Sequence, residues 1–208
     1  IYGSFILNAS MNVTYNSNIF FRSNNPGNII QSFGKSLSSN ISFDGLGGTW
    51  ALQDNLTTSA SIELVTGTLN TNNVTVSANN FLSNGVGIRS LILGSSVINV
   101  SYTWVSPYYA WNIGGTNFTF NAGTSTINLT GVSGYFASDN RTYYNINLTG
   151  NTDNVLNTGT SIFHDVSFAG NATINGDAFY NNLVFGTSKT NINNGTQTIN
   201  GSFTCNGT

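Results

Sequence analysis

Charged side chains are scarce in this sequence, which has five lysines and arginines and seven aspartates and glutamates among 208 residues. An ordinary globular protein carries roughly 25% charged residues. The basic residues stand singly, so they form no run that could track a phosphate backbone. We therefore expect no nucleic-acid partner.

Cysteine and histidine are nearly absent as well. The single Cys205 cannot form a disulfide within the chain, which leaves pairing with another chain or, as we expect, a free thiol. The single His164 has no second histidine and no cysteine near it in sequence, so we expect neither a metal nor another cofactor. No apolar run approaches the ~20 residues of a membrane span. Because the sequence does not begin with methionine, we expect a processed protein or a segment of a longer one.

Asparagine, threonine, serine and glycine replace the missing charge, with 35, 26, 25 and 23 residues. Such polarity also occurs in disordered chains, but those pair it with high net charge and few aromatic residues. Here the net charge is −2, 39% of the residues are hydrophobic, and there are 14 Phe, 9 Tyr and 3 Trp. The composition therefore predicts an ordered protein with a substantial core.

Short alternating runs dominate the chain from end to end. Polar and apolar residues alternate in segments such as Val74–Val76, Phe118–Phe120 and Ile127–Leu129, and glycine or asparagine bounds each segment. This is the pattern of half-buried β-strands. No segment has helical periodicity with start and stop signals. The predicted fold class is all-β.

A repeated motif points to stacked turns of chain. The motif occurs in 143–150, 163–170 and 180–186, with an earlier relative in 39–45. It consists of an aromatic residue, any residue, Asn or Asp, and then two apolar residues that stand two positions apart. The 17–20 residue spacing favours a β-solenoid of roughly ten coils, because units this short bury their apolar face only by stacking. A β-sandwich is the alternative.

A second motif, Gly-(Thr/Ser)-Ser, begins at Gly94, Gly123, Gly159 and Gly186. In three copies an asparagine follows five residues after the glycine, and in the Gly159 copy His164 takes that position. Asparagines at equivalent positions of successive coils are expected to form hydrogen-bonded ladders. We interpret His164 as a substituted ladder position.

The segments 47–57, 66–72, 91–96 and 120–129 resemble the Asn/Thr/Gly-rich β-helical repeats of extracellular surface filaments, adhesins and virion fibres. The resemblance covers residues 36–208 and implies a right-handed parallel β-helix with an extracellular structural or adhesive role. Residues 102–111 depart from it as an aromatic-rich insertion. Residues 1–35 are predicted to be an N-terminal β segment, with Phe5–Tyr15 as a candidate inter-subunit strand.

The most frequent modification signal is Asn-x-Ser/Thr, which an extracellular chain presents for N-glycosylation when the asparagine is exposed. An asparagine inside a ladder would be inaccessible, so the two roles exclude each other at any one side chain. The candidate glycosylation sites are Asn8, Asn12, Asn40, Asn55, Asn73, Asn99, Asn117, Asn128, Asn140, Asn147, Asn171, Asn194, Asn200 and Asn206.

One aromatic cluster is a candidate contact surface. Aromatic rings with little charge around them suit a protein partner or a stacked sugar, although tryptophans there also suit a core beneath a loop. The interface or glycan-contact candidates are Tyr102, Trp104, Tyr108, Tyr109 and Trp111.

The acidic residues predict no catalytic pair. Glycoside hydrolysis needs two carboxyl groups within roughly 5–9.5 Å of each other. No two acids here stand two residues apart. The sequence separations between successive members of Asp139, Asp153, Asp165 and Asp177 are shorter than one coil. We expect these aspartates to act in turns and caps, and we expect no enzyme.

The sequence thus favours a structural subunit of an extracellular fibre, glycosylated, that assembles into a homopolymer through exposed β edges. The location is then the exterior of a cell or a virion. The alternative is an adhesin or a module that binds receptors or glycans. A polysaccharide-degrading β-helix is a weaker third possibility.

Overall fold

The computed structural model describes residues 1–14, 17–103, 109–186 and 190–206, and these residues form strands and turns without any helix. In chain order the strands are β1 Phe5–Ile6, β2 Ile19–Phe21, β3 Asn28–Gln31, β4 Ser36–Leu37, β5 Ile41–Leu52, β6 Leu56–Thr58, β7 Ile62–Asn70, β8 Thr75–Ala78, β9 Phe81–Leu82, β10 Arg89–Ile92, β11 Val97–Val100, β12 Trp111–Asn112, β13 Phe118–Asn121, β14 Thr126–Leu129, β15 Tyr135–Ala137, β16 Thr142–Leu148, β17 Asn154–Phe168, β18 Ala172–Phe185, β19 Thr190–Asn194, β20 Gln197–Ile199 and β21 Phe203–Cys205.

The strands pair in parallel, each with the equivalent strand of the next turn, so the chain winds into a β-solenoid of about nine turns. The all-β solenoid prediction is confirmed. The pairings fall into three stacks, which we call sides I, II and III in the order of strands β2, β3 and β4. Side I contains Phe81 and Trp111, side II contains Leu69 and Leu91, and side III contains Ile98 and Ile127.

The length of a turn varies more than the predicted 17–20 residues. Hydrogen-bonded partners on successive turns of side III, Asn99 and Asn128, are 29 residues apart, whereas Asn128 and Asn147 are 19 apart. Farther along, Asp165 and Asn182 are 17 apart. The predicted spacing therefore holds in the second half of the chain but not in its middle.

The three late copies of the first motif stack in register, as predicted. Tyr143 pairs with Phe163, and Phe163 with Tyr180. The early relative, 39–45, does not belong to this column, because Phe43 lies on side I and pairs with Phe21 and Leu64. Similar short motifs thus serve different sides of the solenoid.

Strand stacking continues across residue 35, where the sequence suggested a boundary. Strand β2 pairs with the first part of β5, and β3 pairs with its second part. The two strands of residues 17–35 therefore form part of the same solenoid. Of the candidate inter-subunit strand, only Phe5–Ile6 is a strand, and it pairs with Ile30–Gln31 of the same chain; Tyr15 lies outside the described residues.

Inward-facing rings and aliphatic side chains form columns that fill the solenoid. On side I the ring of Trp111 lies between those of Phe81, with centroids 5.0 Å apart, and Phe136, 5.9 Å apart. On side II Phe163 lies between Tyr143 at 5.5 Å and Tyr180 at 5.6 Å. Each of these rings buries a large apolar area, which is the main source of stability for neighbouring turns.

Arg89 is a buried cation that is bound by neutral hydroxyl and carbonyl oxygens rather than by a carboxylate. Its guanidinium donates to the hydroxyl and carbonyl of Ser83 and to the carbonyls of Gly87, Gly114 and Thr116. Burial and the nearby Arg141 lower the pKa of Arg89 from its usual value. Because all five N–H groups donate, Arg89 fastens the loop before β10 to the loop before β13.

Candidate functional site

A ladder of polar side chains follows the outward face of side III. Asn128 donates to the Oδ1 of Asn99 at 2.9 Å, and Asn147 donates to the Oδ1 of Asn128 at 2.9 Å. Ser77 and Ser167 extend the ladder at its two ends. The predicted asparagine ladder is therefore present at Asn99 and Asn128, whereas Asn191, expected to belong to it, pairs with Thr173 on side I. His164 is not part of it, which corrects its interpretation as a substituted ladder position, because Ser167 pairs with Asn147 instead.

Most sequon asparagines are exposed, whereas those in the ladder are half-buried. The half-buried ones are Asn99, Asn128, Asn147 and Asn171. The exposed ones are Asn8, Asn12, Asn40, Asn55, Asn73, Asn117, Asn140, Asn194, Asn200 and Asn206. In the ladder, Asn128 and Asn147 donate through the same Nδ2 atom that a glycan would occupy. The two expected roles of asparagine are thus divided between different positions.

The three aromatic candidates that the structure describes, Tyr102, Tyr109 and Trp111, do not form one exposed surface. Trp111 is fully buried in the core, so its ring is not available to a partner. Tyr109 and Tyr102 are half-buried, and Tyr109 packs edge-on against Tyr135 at 4.6 Å. Trp104 and Tyr108 lie outside the described residues.

Five of the acidic side chains make local or inter-turn hydrogen bonds or ion pairs. Asp44 accepts from the hydroxyl of Thr66 and pairs with Arg22. Asp54 accepts from the backbone N–H of Ser32, and Asp177 accepts from that of Thr196. Asp139 pairs with Arg141 at 3.4 Å, and Asp165 accepts from Asn182. Among the described residues, no three His, Cys, Asp or Glu side chains gather as in a metal site.

A groove with a volume of about 810 Å³ runs along side II. It arises where the corner between sides II and III changes length. In one turn four residues, 122–125, separate β13 from β14; in the next turn Tyr144 alone separates the part of β16 on side II from the part on side III. Residues 121–123, at the wider corner, line one side of the groove, which we call its wall.

The floor of the groove combines rings, apolar side chains and amides. The rings of Tyr144 and His164 stack with centroids 4.2 Å apart and planes 19° apart, and Asn181 follows on the next turn. Beside them Ile162 and Phe179 are 50% and 44% exposed. The groove continues to Asn200 and so crosses five successive turns.

Buried phenols lie directly beneath this floor. Burial raises the pKa of Tyr143 and of Tyr180 well above the usual tyrosine value. The Tyr143 hydroxyl donates to the carbonyl of Ser138, and that of Tyr180 bonds Gln197. Both phenols remain neutral at physiological pH, so they support the groove without adding charge to it.

The two ends of the solenoid differ from its middle. At one end an apolar groove of about 570 Å³ is lined by side chains that include Phe5, Leu7, Ile19 and Leu37. At the other, β19, β20 and β21 pair on one side only, with β18. There Ile192 and Phe203 are 50% and 56% exposed, although they continue the core columns of sides I and III.

No family model matches this chain, and neither the curated proteins nor the solved structures include a significant match. Among the described residues, no helix is long and apolar enough to cross a membrane.

Proposed function

We propose that this chain is a structural segment of an extracellular fibre or filament in which one solenoid end stacks on the other end of a second copy. The observation that carries the proposal is the edge formed by β19–β21, which is paired on one side only and exposes core-type side chains. An unpaired strand edge is a template for another strand. A second copy adding its first turn there would continue all three sides.

The opposite end supports a head-to-tail arrangement. Its apolar groove includes Ile19 and Leu37, which begin the columns of sides I and III. The two ends present different surfaces, so their contact is heterologous and does not close by two-fold symmetry. A heterologous contact that does not close generates a filament.

The lateral surface supports a location outside the cell. It has little charge, and its ladder satisfies carboxamides with one another rather than with ions. Ten sequon asparagines are exposed, and glycans on them would solubilise a surface of this kind. At Asn40 and Asn117 a glycan would replace a hydrogen bond that Nδ2 donates. We propose that the native chain is N-glycosylated at exposed positions and not at Asn128 or Asn147.

Assembly is tested with the 208-residue chain at rising concentration by analytical ultracentrifugation and electron microscopy. We expect filaments whose length grows with concentration. The combination of Ile192→Lys and Phe203→Lys places two charges on the edge and should return the chain to monomers. The matched control, Val86→Lys with Val132→Lys, adds the same charge to exposed positions of the middle turns and should leave filaments intact.

Two results would contradict the assembly proposal: a monomer at every concentration, or filaments that persist in the edge variant while circular dichroism reports an unchanged fold. Glycosylation is tested separately by peptide mass spectrometry of the native protein. Glycans on Asn128 or Asn147, or none anywhere, would contradict that part.

A further inference from the structure

We propose that the groove on side II binds an uncharged, linear oligosaccharide. The site consists of the Tyr144–His164 ring pair, the exposed apolar side chains of Ile162 and Phe179, and the wall at Asn121. This inference concerns the lateral surface of the solenoid and does not depend on whether its ends assemble.

The shape of the groove favours a chain-like ligand over a compact one. Its lining residues come from five successive turns, from Thr119 at one end to Asn200 at the other. Successive strands lie about 4.8 Å apart, which is comparable to the length of one sugar residue along a polysaccharide. A linear saccharide parallel to the solenoid axis would therefore meet a new turn of the solenoid at about each sugar residue.

The chemistry of the lining favours a neutral sugar. A sugar ring has an apolar face and a polar rim, and the groove offers both kinds of partner. Tyr144 and Phe179 present ring carbon to the apolar face. Asn121, Asn181 and Thr142 present amides and a hydroxyl to the rim.

The charge of the groove argues against ionic ligands. Its described lining contains no lysine, arginine, aspartate or glutamate, and His164 is its single ionisable side chain apart from tyrosine. Asp165 lies 3.2 Å from the Nδ1 of His164, so a positive charge on that ring would be balanced locally. Phosphate, sulfate and uronate groups need cations that this groove does not supply.

Binding is tested on the full 208-residue chain with an array of neutral linear hexasaccharides, namely β-1,4-glucan, α-1,4-glucan, xylan, mannan and chitin fragments, alongside oligogalacturonate and heparin fragments. Hits are measured by isothermal titration calorimetry. We expect at least one neutral hexasaccharide to bind and both acidic fragments to fail. Tyr144→Ala should weaken the hit at least tenfold, and Ile162→Asp, at an exposed position, should do the same.

Tyr2→Ala removes an equally aromatic but distant, exposed ring and should leave binding unchanged. Circular dichroism identifies any variant that fails to fold, and Ile162→Asp keeps the test valid if Tyr144→Ala does. The proposal is overturned if no neutral fragment binds, if the acidic fragments bind instead, or if binding survives both groove variants. It is also overturned if Ile162→Asp abolishes self-association without changing sugar binding, because the groove is then a contact between copies.

Discussion

The corner between sides II and III is built in two ways, and comparing them explains both the stability and the surface of this solenoid. In the turns of β10–β11 and β13–β14 the corner has four residues, 93–96 and 122–125. In the following turns it is a single residue, Tyr144, His164 or Asn181. The wide corners are held by backbone contact, and in the same turns Arg89 joins the two loops between sides I and II. The narrow corners are held by stacked rings. The step between them forms the groove.

The largest expected effect is on the ring column behind the narrow corners. Phe163→Ala removes a fully buried ring that lies between Tyr143 and Tyr180 and leaves a cavity. We expect a loss of about 3–5 kcal/mol in the free energy of unfolding, measured by urea denaturation. Phe179→Ala, on an outward position of the same side, is the control and should change it by less than about 0.5 kcal/mol. Equal losses would mean that the rings of side II do not form a core column.

The turns that have wide corners should depend on Arg89, which joins their loops between sides I and II, to a similar but smaller extent. Arg89→Met keeps the length of the side chain but leaves the carbonyls of Ser83, Gly87 and Gly114 without their donor. The expected loss is about 3 kcal/mol in the same measurement. Arg22→Met removes an exposed arginine with one ion pair to Asp44, 3.9 Å long, and should cost less than about 1 kcal/mol. A loss no greater than that control would show that the two loops are held by other contacts.

Backbone contact at the wide corner is tested by Gly123→Ala. Gly123 has φ +56°, and a Cβ there would collide with the carbonyl of Gly94 on the previous turn. We expect a loss of about 2 kcal/mol, the sum of left-handed strain and the displacement of that turn. Gly34→Ala, with φ +70° and open space around it, isolates the strain and should cost about 1 kcal/mol. Identical losses would contradict a close contact between the corners.

The smallest effect concerns the ladder, which crosses from the wide to the narrow corners without a break. Asn128→Ala removes the hydrogen bonds to Asn99 and Asn147 on either side of that junction. The expected loss is about 1 kcal/mol, since the ladder is half-buried. Asn84→Ala at an exposed loop should have no measurable effect. If neither substitution changes the free energy of unfolding, the ladder orders the surface side chains but does not stabilise the fold.

The length of the corner also decides how much of the fold the sequence alone could predict. Where the corner is one residue, the period stays at 17–20 residues and the motif copies in 143–150, 163–170 and 180–186 are recognisable. Where corners and loops vary in length, the period is lost, and the early motif relative in 39–45 lies on side I instead of in register with the three late copies. Alternation of polar and apolar residues survives in both regions because it depends on the strand alone.

The groove was missed although its signal is in the sequence. Tyr144, His164 and Asn181 occupy the second, unspecified position of three successive motif copies, so stacking the copies places them in one column. Arg89 gave no comparable signal, because its partners are carbonyl oxygens of loops that no residue pattern identifies. Of the roles that the sequence left open for Trp111, the structure favours the core, since its ring continues the column of Phe81 and Phe136.

The most direct test of head-to-tail assembly is a disulfide across the proposed junction. Ser36 and Thr204 lie in the first and last strands of side III, both in the outward column that contains the ladder. Continued stacking would bring them to neighbouring-strand distance, which a disulfide can bridge. The test variant combines Ser36→Cys, Thr204→Cys and Cys205→Ser, and the control variant has Ser95→Cys in place of Ser36→Cys. Both are oxidised and analysed by non-reducing electrophoresis and peptide mass spectrometry. We predict a ladder of covalent oligomers linked from position 36 to position 204, absent in the control. Monomers alone, or links only between identical positions, would contradict the account.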